Sequence, residues 1–392
     1  MAFGTAVAAF AIVMMGTTLP TPLYAIYGAE LHFGVTTTTI VFAVYAAGVI
    51  AALIGCGRWS DVVGRRPLLL AGATLSAVSA IIFLTAGPVG QLLVGRVISG
   101  LSAGIYAGTA TAAVIELAPA SWRSRAPAIA TAANIGGLGL GPLVAGLLAE
   151  YVGAPLHTTF VVDLLLVMVV GGGLWFLPEP APLPAGARPA WRTLSVQRVS
   201  VPPEVRAVFT GPALAAFAGF AVLGTFSGLA PSFVRTVVGI DSHAVAGIMA
   251  ALVFGTSAVT QIAGRRSPTG PSLIAGCALL AVGVTTVAAG LATASISLLT
   301  VGAVICGVGQ GISFSKGLAA VVAASPPDRR AEVTSSYFVV AYVALSIPIV
   351  GQGVAAAEWG LVTAGVSFTI AVGVLSLIAL ALIVVAGRRG RA

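Results

Sequence analysis

Apolar runs of about twenty residues, separated by short polar gaps, recur along almost the whole 392-residue chain. About 20 such residues are what an α-helix needs to cross a bilayer core. The runs fall at roughly 4–27, 36–57, 67–86, 90–117, 126–149 and 157–177, then at 207–230, 243–263, 271–290, 296–323, 333–354 and 361–386. Hydrophobic residues make up 58% of the chain and charged ones 8%, too few to cover a soluble domain. The expectation is an all-α membrane protein with twelve transmembrane helices. Proline and glycine inside the runs do not argue against helices, because membrane helices tolerate both.

A net charge of +8 raises the question of nucleic acid. Nucleic-acid binders gather their basic residues into a patch or stripe on a soluble domain. Here they sit in the gaps. Arg58, Arg65, Arg66, Arg123, Arg125, Arg188, Arg192, Arg198, Arg206, Arg265, Arg266, Arg329, Arg330, Arg388, Arg389 and Arg391 all fall in loops or a tail on one expected face, 16 of 19 basic residues. Arg235 alone falls on the other, and Arg96 and Lys316 lie within runs. The positive-inside rule makes the Arg-rich face cytoplasmic, with both termini inside, as in a bacterial inner-membrane protein. Apolar residues follow Met1 at once, with no basic stretch, so the N-terminus is expected to be the first span and not a cleaved targeting segment.

No cofactor or metal is expected. Cys56, Cys277 and Cys306 have no partner at metal or disulfide spacing, and His32, His157 and His243 fall at helix ends. No nucleophile–base constellation suggests an enzyme.

The two halves of the chain repeat. Gly95 to Arg123 aligns without gaps on Gly302 to Arg330, with 11 of 29 positions identical. The matches include Gly100/Gly307, Gly104/Gly311, Pro119/Pro326 and Arg123/Arg330. Gly57-Arg-Trp-Ser60 matches Gly264-Arg-Arg-Ser267 in the same way. The longest polar gap, 178–206, carries Pro178, Pro180, Pro182, Pro184 and Pro189 and has the composition of a linker. The expected domains are a six-helix bundle over 1–177, a cytoplasmic linker over 178–206 and a second six-helix bundle over 207–392. A unit duplicated in the same orientation gives two pseudo-symmetric bundles about an axis along the membrane normal, with the substrate site expected near the midplane between them.

The loop Gly57-Arg-Trp-Ser-Asp61-Val-Val-Gly64-Arg65-Arg66-Pro67 resembles the signature loop between the second and third helices of the major facilitator superfamily. It departs from that pattern at Val62, where the family usually has a basic residue. Arg96-Val-Ile-Ser-Gly100 resembles the family's Arg-x-x-Gln-Gly motif of proton-coupled members, with Ser99 in place of Gln. Gly137-Leu-Gly-Leu-Gly141-Pro142-Leu-Val-Ala-Gly146 resembles the Gly-Pro-x-x-Gly-Gly motif of drug–proton antiporters, with Ala145 in place of one Gly. Leu19-Pro20-Thr-Pro22-Leu23-Tyr24 is similar to a Pro-rich motif of exporter branches.

The resemblance implies the major facilitator fold and a secondary transporter with a small-molecule substrate, protons and the lipid bilayer as partners, working as a monomer. It implies a gate built from Gly57, Asp61, Gly64, Arg65, Arg66, Glu116 and Arg123, with Asp61 reaching the start of the eleventh span. The alternative for these charges is that they only set topology. Gly137, Gly141, Pro142 and Gly146 favour close, bent packing of the fifth span. Arg96 and Asp163 lie at matching depth, and a charge within a span usually has a partner, so the two are expected to pair. That pair would either hold structure or make Asp163 a proton carrier beside Arg96. Lys316 either faces the cavity, lined in the family by the first, fourth, seventh and tenth helices, or snorkels to the interface. Other candidate substrate-binding residues are Tyr24, Tyr106, Asn134, Phe220, Phe226, Gln310 and Phe314. With no carboxylate deep in the second half, neutral or anionic substrates fit better than cations. Proton-coupled efflux of a drug-like molecule or metabolite, conferring drug resistance, is the leading expectation. Uptake or facilitated diffusion of a metabolite or sugar is the alternative, and a sensor without transport ranks last.

Overall fold

The computed structural model describes residues 1–57, 59–180 and 199–389. Most of the expected linker, 181–198, therefore lies outside the described residues, as do Arg58, Arg188, Arg192, Arg198 and Arg391. Among the described residues the chain is helical and has no strand. The helices are α1 (Ala2–Thr18), α2 (Tyr24–Glu30), α3 (Val35–Cys56), α4 (Trp59–Val63), α5 (Arg65–Leu84), α6 (Val89–Glu116), α7 (Ala126–Tyr151) and α8 (Pro155–Trp175). They continue with α9 (Pro203–Ser232), α10 (His243–Ala263), α11 (Thr269–Ala292), α12 (Ile296–Ala323), α13 (Arg330–Trp359) and α14 (Leu361–Arg389).

Eleven of these segments are long and apolar enough to cross a membrane. The first span departs from the sequence expectation of one continuous helix over 4–27. It is built from α1 and α2, with an irregular turn at Leu19–Leu23 between them. Pro20 and Pro22 cause the break, since proline removes a backbone donor and clashes with the preceding turn. The turn stays closed through Thr21 N–H to Thr18 O (3.0 Å) and Leu23 N–H to Pro20 O (3.1 Å), and all five of its residues are buried. Irregular backbone survives at membrane depth only where protein shields it in this way.

Contacts divide the chain into two compact units. One comprises Met1–Leu31 and Val44–Arg198, the other His32–Ala43 and Val199–Ala392. In the first, α1 packs on α6, α7 and α8, and α5 packs on α6 and α8. In the second, α9 packs on α12, α13 and α14, α11 on α12 and α14, and α10 on α12.

Membrane helices gain little from burying apolar surface against one another, because lipid is as apolar as they are. They associate through close packing of small residues instead. The repeated glycines do this work in both units. A Cβ on Gly100 would fall on Tyr45 O of α3, and one on Gly104 would lie 2.7 Å from Val49 O. In the second unit a Cβ on Gly307 would lie 2.5 Å from Val253 O of α10, and one on Gly311 2.6 Å from Ser257 O. The same two positions of the repeat thus bring the same pair of helices into backbone contact twice. The outward faces carry large apolar side chains such as Leu165, Met168 and Val169 on α8 and Leu377 on α14, as lipid-facing surfaces do.

Gly100→Val is expected to force α3 from α6. In detergent it should lower both the melting temperature and the yield of monodisperse protein. Gly4→Ala, where a Cβ meets nothing within 4 Å, should change neither.

Candidate functional site

The loop around α4 folds into a charge network within the first unit. Asp61 lies in the one-turn helix α4, and Gly64 then turns the chain at φ 105°, a conformation that favours glycine. That turn starts α5 at Arg65, whose guanidinium reaches back to Asp61 (2.6 Å) and across to Glu116 at the end of α6 (3.1 Å). Its Nη1 also donates to Ser60 Oγ at 2.5 Å. Glu116 thus pairs with Arg65. Arg123 is exposed and outside this network, and Gly57 is the exposed residue that ends α3.

Sequence reasoning missed Glu179. Its carboxylate accepts from Arg65 N–H (2.6 Å) and Arg66 N–H (3.1 Å), the first donors of α5. A helix start leaves such donors without intrahelical partners and attracts negative charge. Arg66 adds a hydrogen bond from Nη2 to Trp175 O and stands over the Trp175 ring at 5.9 Å. Nothing in the spacing announces Glu179, because it meets α5 only through the packing of α8.

Arg96 and Asp163 are both buried in the first unit, yet they form no ion pair among the described residues, contrary to the sequence expectation. Both instead meet α1, on consecutive residues. Arg96 Nη1 donates to Thr17 O at 2.5 Å, and its guanidinium lies over the rings of Tyr45 (4.6 Å) and Tyr24 (6.0 Å). A cation out of water is stabilised by aromatic faces and backbone carbonyls. A Cβ on Gly16 would fall 2.8 Å from Asp163 Oδ1, so the carboxyl packs on bare α1 backbone. Oδ1 accepts no hydrogen bond from the described residues. Matching depth was visible in the sequence; the intervening contact with α1 was not. Tyr45 was also missed, since one more tyrosine in an apolar run carries no signal.

Gly137 and Gly141 bring α7 onto α1. A Cβ on Gly137 would lie 2.5 Å from Ala11 O, and one on Gly141 would meet Thr18 Oγ1 and Met15 O. Pro142 and Gly146 are buried in the same helix. Tyr106 is fully buried and donates to Leu69 O at 3.0 Å, which ties α6 to α5. Asn134 is half-buried on α7.

In the second unit Phe220 and Phe314 come together, ring centres 5.0 Å apart, and Phe314 stacks on Tyr337 at 5.6 Å. Gln310 is buried next to them. It accepts from Ser257 Oγ at 2.5 Å, and its Nε2 has no hydrogen-bond partner among the described residues. Lys316 is buried, and its ammonium donates to Ser267 O (2.8 Å) and Arg265 O (3.3 Å) in the loop after α10. Phe226 lies elsewhere, on the wall of a pocket inside the second unit.

The model of the Major Facilitator Superfamily matches residues 6–349. The chain belongs to that superfamily. It is therefore an integral membrane protein of a transporter superfamily. Among curated proteins it is 28% identical to Multidrug resistance protein 1 of Bacillus subtilis over 139 residues, 36% of each chain. It is 37% identical to Multidrug resistance protein MdtL of Klebsiella pneumoniae over 76 residues, 19% of this chain and 18% of that one. It is 26% identical to D-xylose-proton symporter-like 2 of Arabidopsis thaliana over 172 residues, 43% of this chain and 31% of that one. The matches thus span little more than a third of these relatives at most. Among solved structures, a bacterial homolog of the human lysosomal transporter Spinster, inward-facing and occupied, superposes with a TM-score of 0.72 at 16% identity, over 98% of this chain and 96% of that one. The human organic anion transporter MFSD10 gives 0.68 at 20% identity, over 97% and 98%. The nucleoside transporter NupG gives 0.72 at 13%, over 96% and 98%. At identities this low the likeness shows a shared fold alone.

Two substitutions test the loop contacts. Glu179→Gln is expected to cost about 1 kcal/mol of stability by weakening the charged cap on α5. Lys316→Met is expected to cost about 1–3 kcal/mol, since it leaves two loop carbonyls without their donor. Denaturant titration of the purified variants in micelles would measure both. An unchanged midpoint for either would show that its contact contributes nothing.

Proposed function

We propose that this transporter exports a small neutral or anionic molecule in exchange for protons, by alternating access. The observation that carries the proposal is Asp163. Among eleven acidic residues it is the one whose side chain is buried, and it lies within a span and forms no ion pair among the described residues. An ionisable group kept at membrane depth without a salt bridge is a functional-site hypothesis by default. Asp163 is the proposed proton carrier, and Arg96 sets the electrostatics of the same stretch of α1. The names of the multidrug-resistance relatives and the close α1–α7 contact at Gly137 and Gly141 support the exporter reading.

The gate in this reading is the network of Asp61, Arg65 and Glu116, with Gly64 setting the turn. Phe220, Phe314 and Gln310 are proposed substrate contacts. They offer aromatic faces and one amide, a set suited to a moderately apolar ligand. The Arg-rich loops are taken as cytoplasmic. Uptake on the same fold is the second reading, favoured by the scarcity of buried carboxyls and by the names of the xylose-symporter-like relative and the nucleoside transporter.

Everted vesicles energised to an acidic interior, with a pH-sensitive dye and a panel of neutral, anionic and cationic compounds, separate these readings. Compound-dependent proton release that disappears in Asp163→Asn is the expected result. Release that persists in that variant would move the carrier elsewhere. Compound accumulation without proton release would sink antiport and favour the second reading.

A further inference from the structure

Thr74, Thr111 and Thr131 turn their hydroxyls back onto the carbonyls of Leu70, Ala107 and Pro127, each four residues earlier in the same helix. Such a bond satisfies a hydroxyl where lipid offers no partner. Thr159 of α8 departs from this habit. Its side chain is fully buried, and its Oγ1 has no hydrogen-bond partner among the described residues. The carbonyl of Pro155 stands four residues earlier, as that of Pro127 does for Thr131, and Thr159 does not bond to it. A buried hydroxyl held away from its usual partner is costly and calls for an explanation.

Asp163 lies one turn further along α8. Residues four apart share a helix face, with Cβ atoms about 5–6 Å apart. A hydroxyl and a carboxyl oxygen, both buried and both without a partner, therefore stand on adjacent turns of one face. One water spans such a gap, at about 2.8 Å per hydrogen bond. Thr159 lies between Asp163 and the end of α8 at Pro155, the outer end on the topology taken above. Spans one and six run in opposite directions, so the Leu19–Leu23 turn, which follows Gly16 in α1, lies on that outer side too. There Thr21 Oγ1 and Tyr24 Oη are also buried without partners among the described residues. The charges around Asp163 are few. α8 packs on α1, α5 and α7. α1 carries no charged residue, α5 carries Arg65 and Arg66 at its start, and α7 carries the exposed Glu150 near its end. Arg96 of α6 reaches α1 at Thr17 O.

We propose that the Thr159 hydroxyl is the proton relay of Asp163; this rests on the reading of Asp163 as the proton carrier. Thr159 Oγ1 accepts a proton from the outer side while its own proton passes, through one bridging water, to Asp163 Oδ1. One O–H bond of the hydroxyl forms as the other breaks, so a single proton moves and the threonine is unchanged. A hydroxyl can do this because it donates and accepts at once. A hydroxyl bonded to Pro155 O would have its proton engaged there. The missing bond to that carbonyl is what leaves Thr159 free to pass a proton on.

The test follows the proton on Asp163 by infrared difference spectroscopy of the purified protein in lipid nanodiscs, after light-triggered release of protons from a caged acid. The carboxyl C=O band that disappears in Asp163→Asn reports this residue. Its rate of appearance is expected to fall about ten-fold in Thr159→Val, the kinetic equivalent of one hydrogen bond, and to keep its wild-type value in Thr159→Ser. A wild-type rate in Thr159→Val would overturn the relay. Equal slowing in both variants would overturn it too, because the hydroxyl would then matter only for packing. In the wild type the band is expected at the frequency of a hydrogen-bonded carboxyl. The frequency of an unbonded one would overturn the relay even where Thr159→Val fails to fold. These outcomes leave Asp163 standing as the carrier. If Asp163→Asn removes no band at all, the carrier reading and the relay fall together.

Discussion

Every backbone N–H and C=O in a bilayer core must find its partner within the protein, and the rest of this structure follows from that requirement. It turns apolar runs into helices and confines irregular backbone to sheltered places. The two departures obey it. The Leu19–Leu23 turn is fully buried and keeps its own hydrogen bonds. The π-helical turn Phe233–Val237, after Pro231 of α9, keeps Val238 N–H bonded to Phe233 O at 3.1 Å. Each departure lies beside a feature of chemical interest: Tyr24 and Arg96 near the first, the apolar pocket at the second.

With backbone groups satisfied inside each helix, association rests on close approach. The duplicated glycines show how little sequence is needed to specify it. Gly100 and Gly104 bring α6 against α3, and Gly307 and Gly311 bring α12 against α10. The loops at the ends of these helices have diverged. The first copy keeps an acid, Asp61, and ties its loop with Arg65 and Glu116. In the second copy Pro268 stands at the matching position, four residues beyond the repeated glycine. There Lys316 holds the loop through backbone carbonyls, from a site where the first copy has Thr109. Each loop is thus tied to the body of its own unit, one by ion pairs and the other by a buried ammonium. This gives Lys316 a structural task, the tethering of its loop.

The span positions were legible because hydrophobicity is a property of the run itself. From the second span onward the expected and observed ends agree within five residues. The signature loop was legible because its acid, glycine and arginine lie close along the chain. Asp163 and Arg96 could be singled out as charges within apolar runs, but their relation could not. Sequence gives depth along a helix and leaves open which helix intervenes, and α1 supplies contacts to both. Glu179 and Tyr45 gave no signal, because each acquires its partner across a long stretch of chain.

One-dimensional patterns in the chain encode a helical membrane protein, its duplication and its superfamily. Tertiary structure alone decided the partners of the buried polar groups. It put Arg96 among aromatic rings and set Asp163 on the bare backbone of α1. It also set Lys316 on loop carbonyls. The physical reason is the range of the forces involved. Burial in lipid acts on each run separately, whereas a hydrogen bond or ion pair needs two groups within about 3 Å, and only packing sets that distance.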